Sequence, residues 1–199
     1  MSGNSRELKA ETRRRVRSEL RQLSMAERTA ASTLLCSRIQ SERFWLSTGT
    51  IMLYVALPDE VDVSTLARDL VSRGKRLALP RYDRKRQEYD PCQVNDLAVD
   101  THVGEFGVIE PVAACPVIPP NRLDFVVVPG VAFTLDGRRI GRGKGFYDRL
   151  LARVDGVKCG VAFDEQIVEM IPLEPHDIRM DWIVTPTRLV RVSEDGARF

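Results

Sequence analysis

Apolar and polar positions along this chain alternate in two different periods, and together they predict an α/β protein. Between residues 6 and 22, Leu8, Thr12, Val16 and Leu20 recur every four positions, which gives a predicted helix one less polar stripe. Ser24-Met-Ala-Glu27 has capping-box spacing, so a second helix is expected from there to about Gln40. The apolar run at 50–57 predicts a buried strand ended by Pro58-Asp59. Asp62 can cap a helix over 63–73, with Gly74 as its stop. Residues 76–79 then read as a short strand closed by Pro80. A strand, a helix and a strand in that order imply a parallel pair with a crossover helix.

Periodicity is weak from 82 to 121, a polar and proline-bearing stretch expected to hold one or two short strands and a long loop. Residues 124–128 form a continuous apolar run of the buried, parallel type. A helix is expected over 145–154, strands over 157–163 and 182–184, and an edge strand over 189–192. With no repeat, low-complexity tract or linker, residues 1–199 read as a single domain. The expected architecture is a mixed, mostly parallel sheet flanked by helices on both faces.

Composition changes this picture little. The chain has 199 residues, 43% apolar and 29% charged, which is ordinary globular content. Neither a membrane-length apolar run nor a signal-peptide pattern is present in the sequence, so a cytoplasmic protein without membrane contact is expected. Cys36, Cys92, Cys115 and Cys159 lack CxxC spacing and read as reduced thiols. The net charge is only +2, but residues 1–28 carry eight Lys/Arg against four Asp/Glu. The run Arg13-Arg14-Arg15 with Arg17 raises a nucleic-acid surface as an alternative. Without interleaved aromatics, and with a slightly acidic remainder, that alternative is set aside.

Candidate chemistry concentrates at 141–148. Gly141, Gly143 and Gly145 alternate with Arg142 and Lys144, then Phe146, Tyr147 and Asp148 open a helix. Alternating glycines let backbone amides converge on an anion, a helix start adds positive potential, and two cations complete a polyphosphate site. The pattern lacks the GK[ST] of a P-loop. It also lacks dinucleotide-fingerprint spacing, and no strand is expected to lead directly into it. Lys9 and Arg13, four apart, share one helix face, either as a solvated surface or as reach toward those phosphates. Asp148 and Asp177 are carboxylates of the kind magnesium takes, although each alone also reads as an ordinary helix-start or loop residue. His102 and His176 lack a second histidine at ligand spacing and read as non-metal residues. Glu60 follows a strand end, where ligands gather in α/β sheets. No nucleophile elbow or Cys-His pair is evident, so positioning and charge stabilisation are the expected mechanism.

The stretch Val128-Pro-Gly-Val-Ala-Phe133, with Asp136-Gly-x-Arg139-Ile-Gly-x-Gly-Lys-Gly-Phe-Tyr-Asp-Arg149, resembles the signature of 5-formyltetrahydrofolate cyclo-ligases. The Lys9-x3-Arg13 opening, Glu60-Val-Asp62, Gly74-Lys75, Leu79-Pro80 and Phe106-Gly-Val-Ile-Glu-Pro111 are similar to that family in the same order. The resemblance implies the family's α/β fold, of the NagB/RpiA-like kind. It implies ATP-dependent cyclisation of 5-formyltetrahydrofolate to 5,10-methenyltetrahydrofolate, with magnesium. A monomer that acts on these small molecules and binds no nucleic acid is expected. By position, Lys9, Arg13, Arg139 and the run from Gly141 through Arg142, Gly143, Lys144, Gly145 and Phe146 to Tyr147 would bind ATP. Arg142 and Lys144 would be the catalytic cations. Asp148 and Asp177 would hold magnesium. Val55, Glu60, Phe106, Arg142 and Phe146 would face the folate, with Phe106 standing where tryptophan can occur in the family. A related protein that binds nucleotide or folate without turnover is the second reading of the same residues.

Overall fold

The computed structural model describes residues 2–193. Helices α1 (Ser2–Leu20) and α2 (Met25–Ser41) open the chain. The expected capping box is formed: Ser24 Oγ accepts the Glu27 N–H at 3.2 Å, and the Glu27 carboxylate accepts the Ser24 N–H at 2.8 Å. The apolar stripe of α1 is only half used. Val16 and Leu20 are buried, but Leu8 is 44% exposed. A short helix absent from the sequence reading, α3 (Arg43–Ser47), places Trp45 in the core.

Strand β1 (Thr50–Met52) is shorter than the apolar run that predicted it. Leu53 and Tyr54 stay buried beyond it, because an apolar run records burial and not ladder pairing. Helix α4 (Ser64–Ser72) begins where Asp62 Oδ1 accepts the Ser64 N–H at 2.9 Å. It ends in the double bond of a glycine stop, Gly74 N–H to the Val71 carbonyl and Lys75 N–H to the Leu70 carbonyl. Strand β2 (Arg76–Asp83) runs through Pro80 instead of stopping there. Its antiparallel partner β3 (Glu88–Val94) sets Pro91 opposite Pro80. The Pro91 carbonyl accepts from Ile118 on the other side at 2.8 Å, so Pro80 and Pro91 fall at a non-hydrogen-bonded pair where no N–H is needed. The middle of the chain thus holds β3, β4 (Thr101–Val103) and β5 (Ile109–Pro111), more strand than expected.

Strand β6 (Phe125–Val128) leads to a ribbon of β7 (Ala132–Phe133) and β8 (Arg139–Ile140), then α5 (Phe146–Leu151), β9 (Val157–Val161), β10 (Trp182–Val184) and β11 (Leu189–Arg191). The main sheet has the order β11-β10-β9-β6-β1-β2-β3. Its five central strands are parallel, and the two outermost pairings are antiparallel. Alternate strand residues feed two cores. Ile51, Phe125 and Val127 pack with α1 to α4 on one face, while Met52, Val126 and Val128 pack with Leu150 and Leu151 of α5 on the other. Helices therefore cover both faces of one α/β domain. On the α5 side, the fully buried Phe133 ring sits in a notch made by two glycines. A Cβ on Gly130 would lie 2.6 Å from the ring, and one on Gly160 2.7 Å from it.

The sequence of strands reverses direction at β1 and β6. From β1 the chain builds outward to β2 and β3, and from β6 outward to β9, β10 and β11. A crevice must open past the carboxyl ends of β1 and β6, the place where α/β sheets bind ligands.

Candidate functional site

That crevice is a cavity of about 1310 Å³. Residues after β1 form one wall, including Tyr54, Val55 and Glu60. The glycine loop, delivered by the ribbon after β6, forms another. Gln166, 2% exposed, fixes the Pro-Gly turn between them: its Nε2 donates to the Gly130 carbonyl at 2.8 Å. Asp136, in the ribbon's turn, bonds Arg179 at 3.0 Å, and Arg138 donates to the Ile171 carbonyl at 2.9 Å. The outer part of the glycine motif is thus scaffold, tying the loop to the segment that carries Asp177.

The loop itself needs its glycines. Gly143 (φ 102) and Gly145 (φ 67) occupy backbone that side chains resist. Contrary to expectation, a strand does lead into the loop, the two-residue β8, but it belongs to the ribbon and not to the main sheet. Helix α5 spans six residues instead of the ten expected over 145–154, so its dipole is a minor source of potential. Backbone amides and full cationic charges carry the electrostatics.

Every sequence-nominated residue with a described side chain lines this one cavity. Lys9, 6% exposed, bonds Glu174 at 2.8 Å and Asp177 at 2.5 Å. Burial pulls its ammonium pKa down, but the hydrogen bonds and charges of Asp177 and Glu174 outweigh that and hold it above its ordinary value. Arg13 Nε donates to the Gly141 carbonyl at 2.8 Å, so α1 grips the loop directly. Burial, then the charge of Arg17, holds the Arg13 guanidinium below its ordinary value, with Asp177 offsetting part. Arg139, 6% exposed, donates to Asp148 at 2.7 Å and lies 5.7 Å from the Tyr147 ring centroid. Arg142 bonds Glu60 at 3.1 Å and also Asp59, so the glycine loop is latched to the β1 wall. Burial lowers the Arg142 pKa, yet Asp59 and Glu60 raise it more. Lys144, exposed, and Gly145 also line the cavity.

Phe146 and Tyr147 join an aromatic cluster the sequence did not reveal. The Phe146 ring is 5.0 Å from Tyr82 and 5.3 Å from Tyr89, and Tyr147 is 5.8 Å from Tyr89. The cluster braces the loop against the β2–β3 hairpin. Phe106 lies in the 3-10 turn Glu105–Gly107, and its side chain falls outside the described residues. Its neighbours Val108 and Ile109 reach the cavity.

Asp148 and Asp177, the expected magnesium ligands, face the same cavity, each paired with a cation. Glu174, His176 and Asp177 each bring a ligand atom within 4.8 Å of the others. His176, read as a non-metal residue, thus joins a potential ligand group with Glu174. Carboxylate oxygens suit a hard divalent cation such as magnesium, so the donor set fits. Tyr54, Tyr89 and Glu174, missed in sequence, carry no local motif, and only tertiary placement exposes them; Arg17 was read only within the arginine run, although it repeats the four-residue spacing of Lys9 and Arg13 on the same helix face.

Fold and site define an α/β protein with a cation-rich cavity at the switch point of its sheet. The sequence profile of the 5-formyltetrahydrofolate cyclo-ligase family matches residues 5–186. This chain belongs to that family and is a ligase, whose reaction is the ATP-dependent cyclisation of 5-formyltetrahydrofolate to 5,10-methenyltetrahydrofolate. The 5-formyltetrahydrofolate cyclo-ligase of Mus musculus is 29% identical over 194 residues, covering 90% of this chain and 92% of that protein. That of Escherichia coli K12 is 32% identical over 151 residues, covering 70% and 79% respectively. The NMR structure of Aquifex aeolicus 5,10-methenyltetrahydrofolate synthetase superposes with a TM-score of 0.84 at 36% identity, covering 96% of each chain.

Proposed function

We propose that the switch-point cavity performs this cyclisation, with ATP along the glycine loop and the folate against Val55, Glu60 and the 106–109 turn. The supporting observation is convergence: Lys9, Arg13, Arg139, Arg142 and Lys144 meet Glu60, Asp148 and Asp177 in one cavity. Its volume of about 1310 Å³ exceeds the ~300–1,000 Å³ of a typical single-ligand pocket, as two substrates side by side require.

The formyl oxygen is a poor leaving group. In the proposed sequence it attacks the γ-phosphorus, the bond to the bridging β,γ-oxygen breaks, and ADP leaves. N10 then attacks the activated formyl carbon and loses its proton. The carbon–oxygen bond breaks, phosphate departs, and the ring closes. The protein's task is alignment and charge neutralisation. Lys9, Arg13, Arg139 and Lys144 supply cations to the triphosphate, and Arg142, between loop and Glu60, reaches both substrates. Glu60 recognises polar edges of the pterin. Asp148, and Asp177 with Glu174 beside it, would hold magnesium, which when bound neutralises phosphate charge. No strong general base is required, consistent with buried, alkaline-shifted cysteines such as Cys36, pushed up by burial to about 12.

We further read the protein as a cytoplasmic monomer that binds neither membrane nor nucleic acid. Among the described residues no helix is long and apolar enough to cross a membrane. The arginine run also splits: Arg13 and Arg17 line the cavity while Arg14 and Arg15 are exposed. Purified protein with ATP, Mg²⁺ and 5-formyltetrahydrofolate is expected to generate the near-ultraviolet absorbance of methenyltetrahydrofolate. Binding of both substrates with no product would favour the non-catalytic reading.

A further inference from the structure

Helix α1 presents a stripe of four cations to the cavity: Arg6, Lys9, Arg13 and Arg17. Three are accounted for. Arg6 is exposed to solvent, Lys9 holds two carboxylates, and Arg13 holds the Gly141 carbonyl. Across the cavity, Arg139 is matched by Asp148 and Arg142 by Asp59 and Glu60. Arg17 differs: its Nε–H is buried without an acceptor, as is that of Arg139, but Arg139 has Asp148 on its terminal nitrogen, whereas the half-buried Arg17 guanidinium has no carboxylate or carbonyl partner among the described residues. An arginine in the last turn of a helix ordinarily turns to the helix's own carbonyls or to water. This one points a guanidinium at a cavity, beside another arginine whose protonation it opposes.

Its place along the helix is informative. Arg13, one turn earlier, is fixed to the glycine loop. Leu20, one turn later, is joined through Arg28 to the Pro58 carbonyl, which Arg28 meets at 2.9 Å. Arg17 therefore lies between the loop assigned to the nucleotide and the loop carrying Glu60. An unmatched buried donor beside a like charge is destabilising in the ligand-free protein. A ligand oxyanion would convert it into a charge-assisted, two-pronged contact.

We propose that Arg17 is a substrate-binding residue whose guanidinium receives an oxyanion from an incoming substrate, a nucleotide phosphate or a folate carboxylate. The proposal rests on the cavity being where both substrates meet. Arg17→Gln and Arg17→Lys, compared with the wild type, test it by steady-state kinetics and by thermal unfolding with and without each substrate. Arg17→Gln should unfold at the same temperature as the ligand-free wild type or higher, since it loses no partner. It should raise the KM of one substrate about tenfold and lose most of that substrate's stabilising shift, and Arg17→Lys should recover part of both. An effect confined to ATP identifies a phosphate. An effect confined to folate, and larger with added glutamates, identifies a carboxylate. Unchanged KM values and shifts for both substrates would overturn the proposal, as would a ligand-free destabilisation equal to the lost shift. If neither substrate stabilises even the wild type, the cavity reading fails and this inference fails with it.

Discussion

Lys9 is held by two carboxylates at once, and that determines what its removal does. Its pKa is raised above the ordinary 10.5, so the stability it contributes is fully present below that value and is lost as pH rises through the folded-state value. Lys9→Met is expected to cost about 2 kcal/mol at neutral pH, between the values for exposed and buried pairs. The gap from wild type should shrink above pH 10.5 in urea titrations, and a pH-independent gap would exclude the ion pairs as its source. Asp148 is the carboxylate partner of Arg139, whose side chain is nearly buried. Asp148→Asn should lower stability by ~3 kcal/mol and also raise the magnesium concentration needed for turnover. Calorimetry separates these effects from a metal titration; an unchanged titration would leave Asp148 only its structural role.

Helix ends and loops divide between stability and chemistry. Ser24→Ala removes the cap of α2, a residue that does not line the cavity, so it should cost about 1 kcal/mol with kinetic constants unchanged. Gly143→Ala puts a side chain at φ 102, so the loop must refold to accept it. Turnover should fall at least tenfold, with a loss of stability comparable to Ser24→Ala. Normal kinetics in that variant would show that the loop's backbone path is unimportant. The same elements show what the sequence could convey. Ser24-x-x-Glu27 and Gly74 are local chemistry and were legible to the residue. Pro80 misled, because whether a proline ends a strand depends on the partner register, and Pro91 lies opposite. Strand β3 escaped notice because its polar residues share in a hairpin and its proline needs no ladder bond there. The site was legible where motif residues lie close in sequence, as at 141–148. Tyr89 and Glu174 were not, since each reaches the cavity through packing of distant segments; Arg17, one turn beyond Arg13, had a helical spacing that was read only as part of a basic run.

At the scale of the molecule, reversal of strand order places three chain segments around one opening: 57–60 after β1, 141–146 after β6, and 174–177 before β10. Ligand occupancy should therefore slow amide exchange in all three together, with little change in the central strands, whose exchange already reports global unfolding. Mass-spectrometric exchange with ATP and folate present checks this; protection confined to a single segment would contradict a shared site. Behind that opening, the buried Phe133 ring fills the notch left by Gly130 and Gly160, both of which it would touch at under 3 Å if either gained a methyl group. No one of these three positions can change freely: the ring admits no bulk at either glycine, and shrinking it alone opens a void. Among descendants of this chain, drift at residues 130, 133 and 160 must proceed as a coordinated set, so an altered residue at one of them forecasts a compensating replacement at another.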